Sequence, residues 1–243
     1  NGPSMKVGLF IPCYIDQFYP QVGVATLELL EHLGCQVVYP PGQTCCGQPL
    51  ANTGMEKAAQ PTYDHFQEVF SGFDHIVAPS GSCVYHVVHH YPVESRPQGK
   101  VWELCDFIVN HLGVTQIAAS FPHKVGLHPS CHGLRGLRLG PDSERVEDRP
   151  DVVRTLLASV SGIELVDLDR RDECCGFGGT FAITEEAVSV QMGLDKISDH
   201  QRHGAEIITG TDVSCLMHLE GLIRRQGLPL QTRHIAEILN ARL

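Results

Sequence analysis

Several features are missing from this chain of 243 residues, and each absence removes a class of protein. No apolar run approaches the roughly 20 residues that a membrane-spanning helix requires, so no membrane span is expected. No basic run appears: Lys and Arg number 18 against 28 Asp and Glu, a formal charge of -10, which argues against nucleic acid or another polyanion as partner. The start, Asn1-Gly2-Pro3-Ser4-Met5, lacks the charged and apolar regions of a signal peptide, and residues before Met5 read as a cloning scar. A cytoplasmic location is expected. No Cys-x-x-Cys pair occurs anywhere, although structural zinc sites are usually built from such pairs. No Gly-x-Gly-x-x-Gly or flavin motif is present, and no Ser-His-Asp order is suggested, so hydride chemistry would belong to a partner.

What the chain has in quantity is cysteine, ten in all. In a reducing compartment that number favours metal binding or redox chemistry over a disulfide framework. The sequence Cys174-Cys175-Gly176 has a twin at Cys45-Cys46-Gly47. Adjacent cysteines bridge each other poorly, because a disulfide wants separated Cα positions and a steep dihedral, so a repeated Cys-Cys-Gly points to another use of sulfur.

The order of elements repeats with the cysteines. In the first half a strand at Lys6 to Ile11 ends at Cys13, a helix covers Gln21 to Leu33, and a strand at Val37 to Tyr39 precedes Cys45-Cys46. A helix at Met55 to Phe70, a strand at His75 to Ala78, Cys83 opening a helix to Tyr91, and a helix at Val101 to Leu112 complete the unit. The second half runs strand Lys124 to His128, Cys131, helix Asp151 to Val160, strand Ile163 to Leu168 and Cys174-Cys175. It ends with helix Glu185 to His203, strand Glu206 to Thr209, Cys215 opening a helix to Arg225, and a helix from His234 to Leu243. Such a repeat predicts an α/β fold of two pseudo-twofold-related units, residues 5–113 and 114–243, each with a small parallel sheet flanked by helices. In such sheets ligands gather beyond the carboxyl ends of the strands.

Each half thus supplies four recurring sulfurs: Cys13, Cys45, Cys46 and Cys83, then Cys131, Cys174, Cys175 and Cys215. Four thiolates suit an iron–sulfur cluster, with structural zinc as the alternative. Cys35 aligns with Ile163 and Cys105 with Ala236, so both read as small buried hydrophobes. His86 and His218, three residues after the last cysteine of their half, and His128 and His132 beside Cys131, are candidates to tune the metal or to replace a thiolate. Gly176-Phe177-Gly178-Gly179 reads as a loop that brings backbone amides close to sulfur.

The motifs Cys45-Cys46-Gly47-Gln48-Pro49, Pro79-Ser80-Gly81-Ser82-Cys83, His128-Pro129-Ser130-Cys131, Cys174-Cys175-Gly176-Phe177-Gly178-Gly179-Thr180-Phe181 and Asp212-Val213-Ser214-Cys215-Leu216 resemble the cysteine-rich CCG domain. That domain is shared by the cysteine-rich subunit of heterodisulfide reductase, the iron–sulfur subunits of glycolate oxidase and of anaerobic glycerol-3-phosphate dehydrogenase, and the lactate utilisation protein A family, which the chain most resembles. The resemblance implies an iron–sulfur electron-transfer subunit working with other subunits of a complex that oxidises L-lactate to pyruvate. In the heterodisulfide reductase subunit the last ligands come as Cys-x-x-Cys, whereas Ser80 and Asp212 stand at the matching places here. A five-thiolate cluster is therefore not implied, and one [4Fe–4S] cluster per half is. Two other functions stay open: a thiol–disulfide reductase subunit, and a zinc-stabilised scaffold with no redox role.

Overall fold

Eight strands form two sheets of four, all parallel, in a computed structural model that describes residues 5–145 and 147–241. The first half runs β1 (Lys6–Leu9), α1 (Cys13–Phe18), α2 (Pro20–His32), β2 (Gln36–Val38), α3 (Gln48–Asn52), α4 (Glu56–Val69), β3 (His75–Ala78), α5 (Gly81–His90), β4 (Lys100–Glu103) and α6 (Leu104–Asp106). A π-helical turn at Phe107–His111 closes it. The second half runs β5 (Lys124–Leu127), a π-helical turn at His132–Gly136, α7 (Val152–Ala158), β6 (Glu164–Val166), α8 (Phe181–Thr184), α9 (Glu186–Arg202), β7 (Ile207–Gly210), α10 (Val213–Gln226), β8 (Gln231–His234) and α11 (Ile235–Leu239).

The strand orders are the same, β2-β1-β3-β4 and β6-β5-β7-β8. The registers match as well: Val7 pairs with Val37 and His75, and Val125 with Leu165 and Ile207. Both leading strands read Lys-Val-Gly-Leu, and the glycine has one task in each. A Cβ on Gly8 would lie 2.8 Å from the Phe73 ring, and one on Gly126 would lie 2.1 Å from the His200 ring. A bare strand at this position lets a ring lie flat on the sheet.

In each sheet the chain turns outward from the leading strand to one neighbour and then crosses to the other side, which creates a switch point between β1 and β3 and between β5 and β7. Loops leaving adjacent strands in opposite directions open a crevice at their carboxyl ends. Cys13 and Cys83 follow β1 and β3, and Cys131 and Cys215 follow β5 and β7.

The halves share one hydrophobic core, containing Val7, Leu30 and Phe107 from the first and Val125, Leu156 and Leu239 from the second. Helix α2 packs on α11, and α6 on α7, contacts that exchange under the pseudo-twofold. Each half also has an outer core of its own between its sheet and the helices on the far face.

Three expected element assignments differ from what the chain does. The helix expected from Val101 begins as strand β4, and the helix expected from His234 follows strand β8. Both are four-residue edge strands that run straight into a helix with no glycine or proline between them. The buried Glu103 side chain accepts from the amides of Cys105 and Asp106, and His234 from Ala236, so the last strand residue itself caps the helix. The first strand, expected to reach Ile11, ends at Leu9, and helix α1 begins at Cys13 directly after Pro12. The last helix stops at Leu239; its expected end at Leu243 falls outside the described residues.

Candidate metal centre

Three local devices place sulfur in each half. The first is the helical turn directly after the leading strand, which begins at Cys13 in one half and has Cys131 as its cap in the other. The second is the Cys-Cys-Gly turn. Gly47 and Gly176 adopt left-handed φ of 85° and 90°, and this folds their amides back onto Cys45 Sγ and Cys174 Sγ, each at 3.4 Å. A side chain at either glycine is excluded twice over, by the positive φ and by Tyr63 or the Ser189 carbonyl within 2.7 Å of the missing Cβ. The third is the first turn of the helix after the third strand, which carries Cys83 in α5 and Cys215 in α10.

These devices bring the four thiols of each half together. Cys13 Sγ donates to Cys45 Sγ at 3.6 Å, and the Cys46 thiol is the donor side toward both Cys45 and Cys83. Cys131, Cys174, Cys175 and Cys215 are linked in the same order. Hydrogen bonds from Cys13 and Cys46 hold the Cys45 thiol well below its usual range, and bonds from Cys131 and Cys175 do the same for Cys174. The donors are pushed up in return, with burial adding to the effect. All eight sulfurs line one cleft of about 240 Å³ between the halves.

A carboxylate holds this cleft together. Asp212 is buried and accepts from Ser80 Oγ at 2.8 Å, from the Ser82 amide at 2.9 Å and from Ser82 Oγ at 2.8 Å, all from the opposite half. Ser80 Oγ also accepts from the Cys83 amide at 3.2 Å, which ties the clasp to a thiol-bearing turn. The two positions where the resemblance would place a cysteine therefore meet each other.

The remaining predicted residues separate clearly. Cys35 and Cys105 are buried in the shared core and do not line the cleft. His86 is buried against Tyr63 with Nε2 unpartnered, and burial pushes it down to about 4. His218 places Nε2 3.3 Å from the Ser189 carbonyl. His132 lines the cleft. His128 is 1% exposed, neither ring nitrogen has a hydrogen-bond partner, and its ring lies within 4.8 Å of the Cys175 and Cys215 sulfurs. Phe177 from the glycine loop meets Tyr14 edge-on at 6.1 Å across the cleft, and Gly178 and Gly179 line it with φ of 53° and 66°. The Asp212 clasp escaped sequence reading because it joins positions 132 apart.

The donor set fits a thiophilic metal group: four connected thiols per half, amides directed at sulfur, and flanking apolar side chains. A buried imidazole with an unpartnered nitrogen costs about 1–3 kcal/mol, which a metal or an acceptor in the cleft would offset.

The pattern that defines the CCG cysteine-rich domain matches this chain twice, over residues 7–88 and 125–220, so the molecule is a tandem CCG-domain protein. It is 42% identical over 97% of both chains to a protein from Exiguobacterium sp. named Lactate utilization protein A. Proteins of the same name from Geobacillus kaustophilus and Bacillus subtilis are 42% and 39% identical, over 98% of this chain and 100% of theirs. The chain belongs to the lactate utilization protein A family of CCG cysteine-rich proteins. Among solved structures, a putative Asp/Glu racemase from Yersinia pestis aligns over 97% of this chain and 96% of its own, at 11% identity and a TM-score of 0.37. That similarity is too low to bear on function.

Proposed function

We propose that this chain is a cytoplasmic iron–sulfur electron-transfer subunit of a complex that oxidises L-lactate to pyruvate, with the loss of hydride from lactate taking place on a partner subunit. The observation that carries the reading is the connected run of four thiols in each half, both runs facing one cleft. The name borne by the relatives supplies the substrate. No helix among the described residues is long and apolar enough to cross a membrane.

Cys13, Cys45, Cys46 and Cys83 would hold one [4Fe–4S] cluster, and Cys131, Cys174, Cys175 and Cys215 the other, in units of residues 5–113 and 114–243. Such a cluster, when bound, takes up and releases one electron at a time. The protein's own part is to gather the thiols, keep them dry and hold Cys45 and Cys174 as the acidic member of each set. The amides of Gly47 and Gly176 stabilise negative sulfur, the first turns of α5 and α10 carry Cys83 and Cys215 to the cleft, and Tyr14 and Phe177 cover it. Asp212 fixes the separation of the two sets by binding Ser80 and Ser82.

Iron, sulfide and zinc analysis with electron paramagnetic resonance on anaerobically purified protein tests the reading. Iron and sulfide in equal amounts, roughly eight of each per chain, with absorbance near ~400 nm that dithionite bleaches, would support it. Zinc without sulfide would leave the scaffold reading in its place. The thiol–disulfide reductase reading is favoured by one observation, the partial exposure of Cys13, Cys45, Cys131, Cys174 and Cys215 on the walls of the cleft. Consumption of a small disulfide by the reduced, metal-loaded protein would establish that activity.

A further inference from the structure

The two halves do not offer the same donors. We propose that the His128 imidazole is a fifth donor at the second metal site, beside Cys175 and Cys215, so that the second half binds its metal group through nitrogen and sulfur and the first through sulfur alone. The inference rests on the metal-binding reading above.

Equivalence of position comes first. Phe10 follows the Lys-Val-Gly-Leu of β1, and His128 follows that of β5. Each donates its backbone amide to the third strand of its sheet, Phe10 to Val77 at 2.9 Å and His128 to Thr209 at 2.7 Å. Phe10 packs edge-on against Phe66, ring centroids 4.9 Å apart, and shares the first outer core with Cys46 and Cys83. Carbon at this place is sufficient for packing. The second half puts a buried imidazole there instead, with neither nitrogen hydrogen-bonded.

Geometry supplies the second argument. A ring nitrogen of His128 and the sulfurs of Cys175 and Cys215 all lie within 4.8 Å of one another. Donors sharing one metal at roughly 2.0–2.3 Å lie up to about 4.5 Å apart, so small side-chain adjustments bring these three onto a common ion. A neutral imidazole has a lone pair for that purpose, and mixed nitrogen and sulfur ligation suits zinc, iron and cobalt. Phe10 has no such atom, and the first half has no equivalent grouping among the described residues.

The test uses whole protein loaded anaerobically with iron and sulfide, and separately with Co(II) alone. Pulsed electron paramagnetic resonance of the dithionite-reduced protein should show a strong histidine nitrogen coupling, identified by labelling histidine with nitrogen-15. His128→Phe, which copies the first half, should abolish that coupling and lower the Co(II) affinity of one of two sites by about 10-fold or more. Phe10→His should add a second coupling. His128→Gln, smaller and still polar, serves if His128→Phe does not fold, and must also lose the coupling. Metal uptake without any histidine coupling, or a coupling that survives both His128 variants, overturns the inference and leaves the proposed function standing. Failure of the unaltered protein to bind either metal overturns both.

Discussion

The two outer cores are built from different materials on the same frame: aromatic rings in the first, aliphatic side chains beside buried polar groups in the second. Behind the first sheet lie rings: Phe10 meets Phe66 and Phe70 edge-on at 4.9 and 5.8 Å, and Tyr63 and Tyr91 lie 4.2 Å apart. Behind the second sheet aliphatic side chains such as Ile208, Leu219 and Ile223 share the space with polar groups, His128, Lys196, Asp199, His200 and Thr209 all being at most 1% exposed. Lys196 Nζ donates to the carbonyls of Arg170 and Arg171 at 2.7 and 2.9 Å, and Asp199 accepts from the Arg170 amide at 2.9 Å. The second core therefore grips the loop that leads into Cys174. In the first half Gln43 accepts from the Ile11 amide at 2.7 Å and donates to the Leu9 carbonyl at 3.1 Å, and His65 of α4 holds the Gly42 carbonyl at 2.8 Å. One fold tolerates both solutions because sheet order and shared core are set elsewhere. What differs is how strongly each sulfur-bearing loop depends on charge.

The sharpest way to break this comparison is to empty one half. Cys175→Ser should remove about half of the iron from anaerobically prepared protein and spare the first site, and Cys46→Ser should do the reverse. If each variant loses all of its iron, the thiols around the common cleft form a single site.

Deleting a ring from the first core should destabilise the fold more than deleting the charge from the second. Phe66→Ala removes a large buried side chain and should cost about 3–5 kcal/mol in denaturant unfolding. Lys196→Met keeps the volume, removes the donor to the Arg171 carbonyl and one of two donors to the Arg170 carbonyl, and should cost about 1–3 kcal/mol. Equal losses would mean that the polar core is as much a packing element as the aromatic one.

Acid should act through the second core. Burial, then the charge of Lys196 and the neighbouring His128, push His200 down to about 3, with Asp199 opposing and His203 adding to the effect. The unfolded chain binds a proton near the usual value of 6.5, so stability due to neutral His200 is present above that pH and is lost as pH falls toward about 3. The slope is about 1.4 kcal/mol per pH unit for this one group. His200→Phe should flatten the profile between pH 6 and about 4 by that amount. An unchanged acid limb would place the titration elsewhere.

The smallest effect belongs to the two cysteines outside the cleft. Cys35→Ser and Cys105→Ser should leave iron content unchanged while costing some stability through a buried hydroxyl.

Much of this is legible in the residues themselves. The repeated Cys-Cys-Gly, the leading strands, β3 and β7 can all be read, because glycine, proline and cysteine punctuate the chain at the ends of buried apolar runs. Strands β4 and β8 cannot: Lys100–Glu103 and Gln231–His234 pass into helices through their own capping side chains, so no turn residue marks the change. Cys35 and Cys105 are separable from the other eight because aligning the halves sets apolar residues opposite them. The Asp212 clasp and the place of His128 beside Cys175 and Cys215 depend on how loops from different strands converge, and local sequence carries no record of that.

The clasp also explains why the halves are not interchangeable. Ser80 and Asp212 stand at the N-cap positions of equivalent helices, so their hydrogen bond lies on the pseudo-twofold, where a residue meets its own counterpart. In a perfectly duplicated chain that point would hold two identical side chains. Two aspartates would set carboxylate against carboxylate in a buried place, and two serines would lack the acceptor that also binds the Ser82 amide. Divergence between the copies at this single position turns a point of self-contact into a matched donor and acceptor, and a chimera with the second half repeated would be forced apart at the cleft.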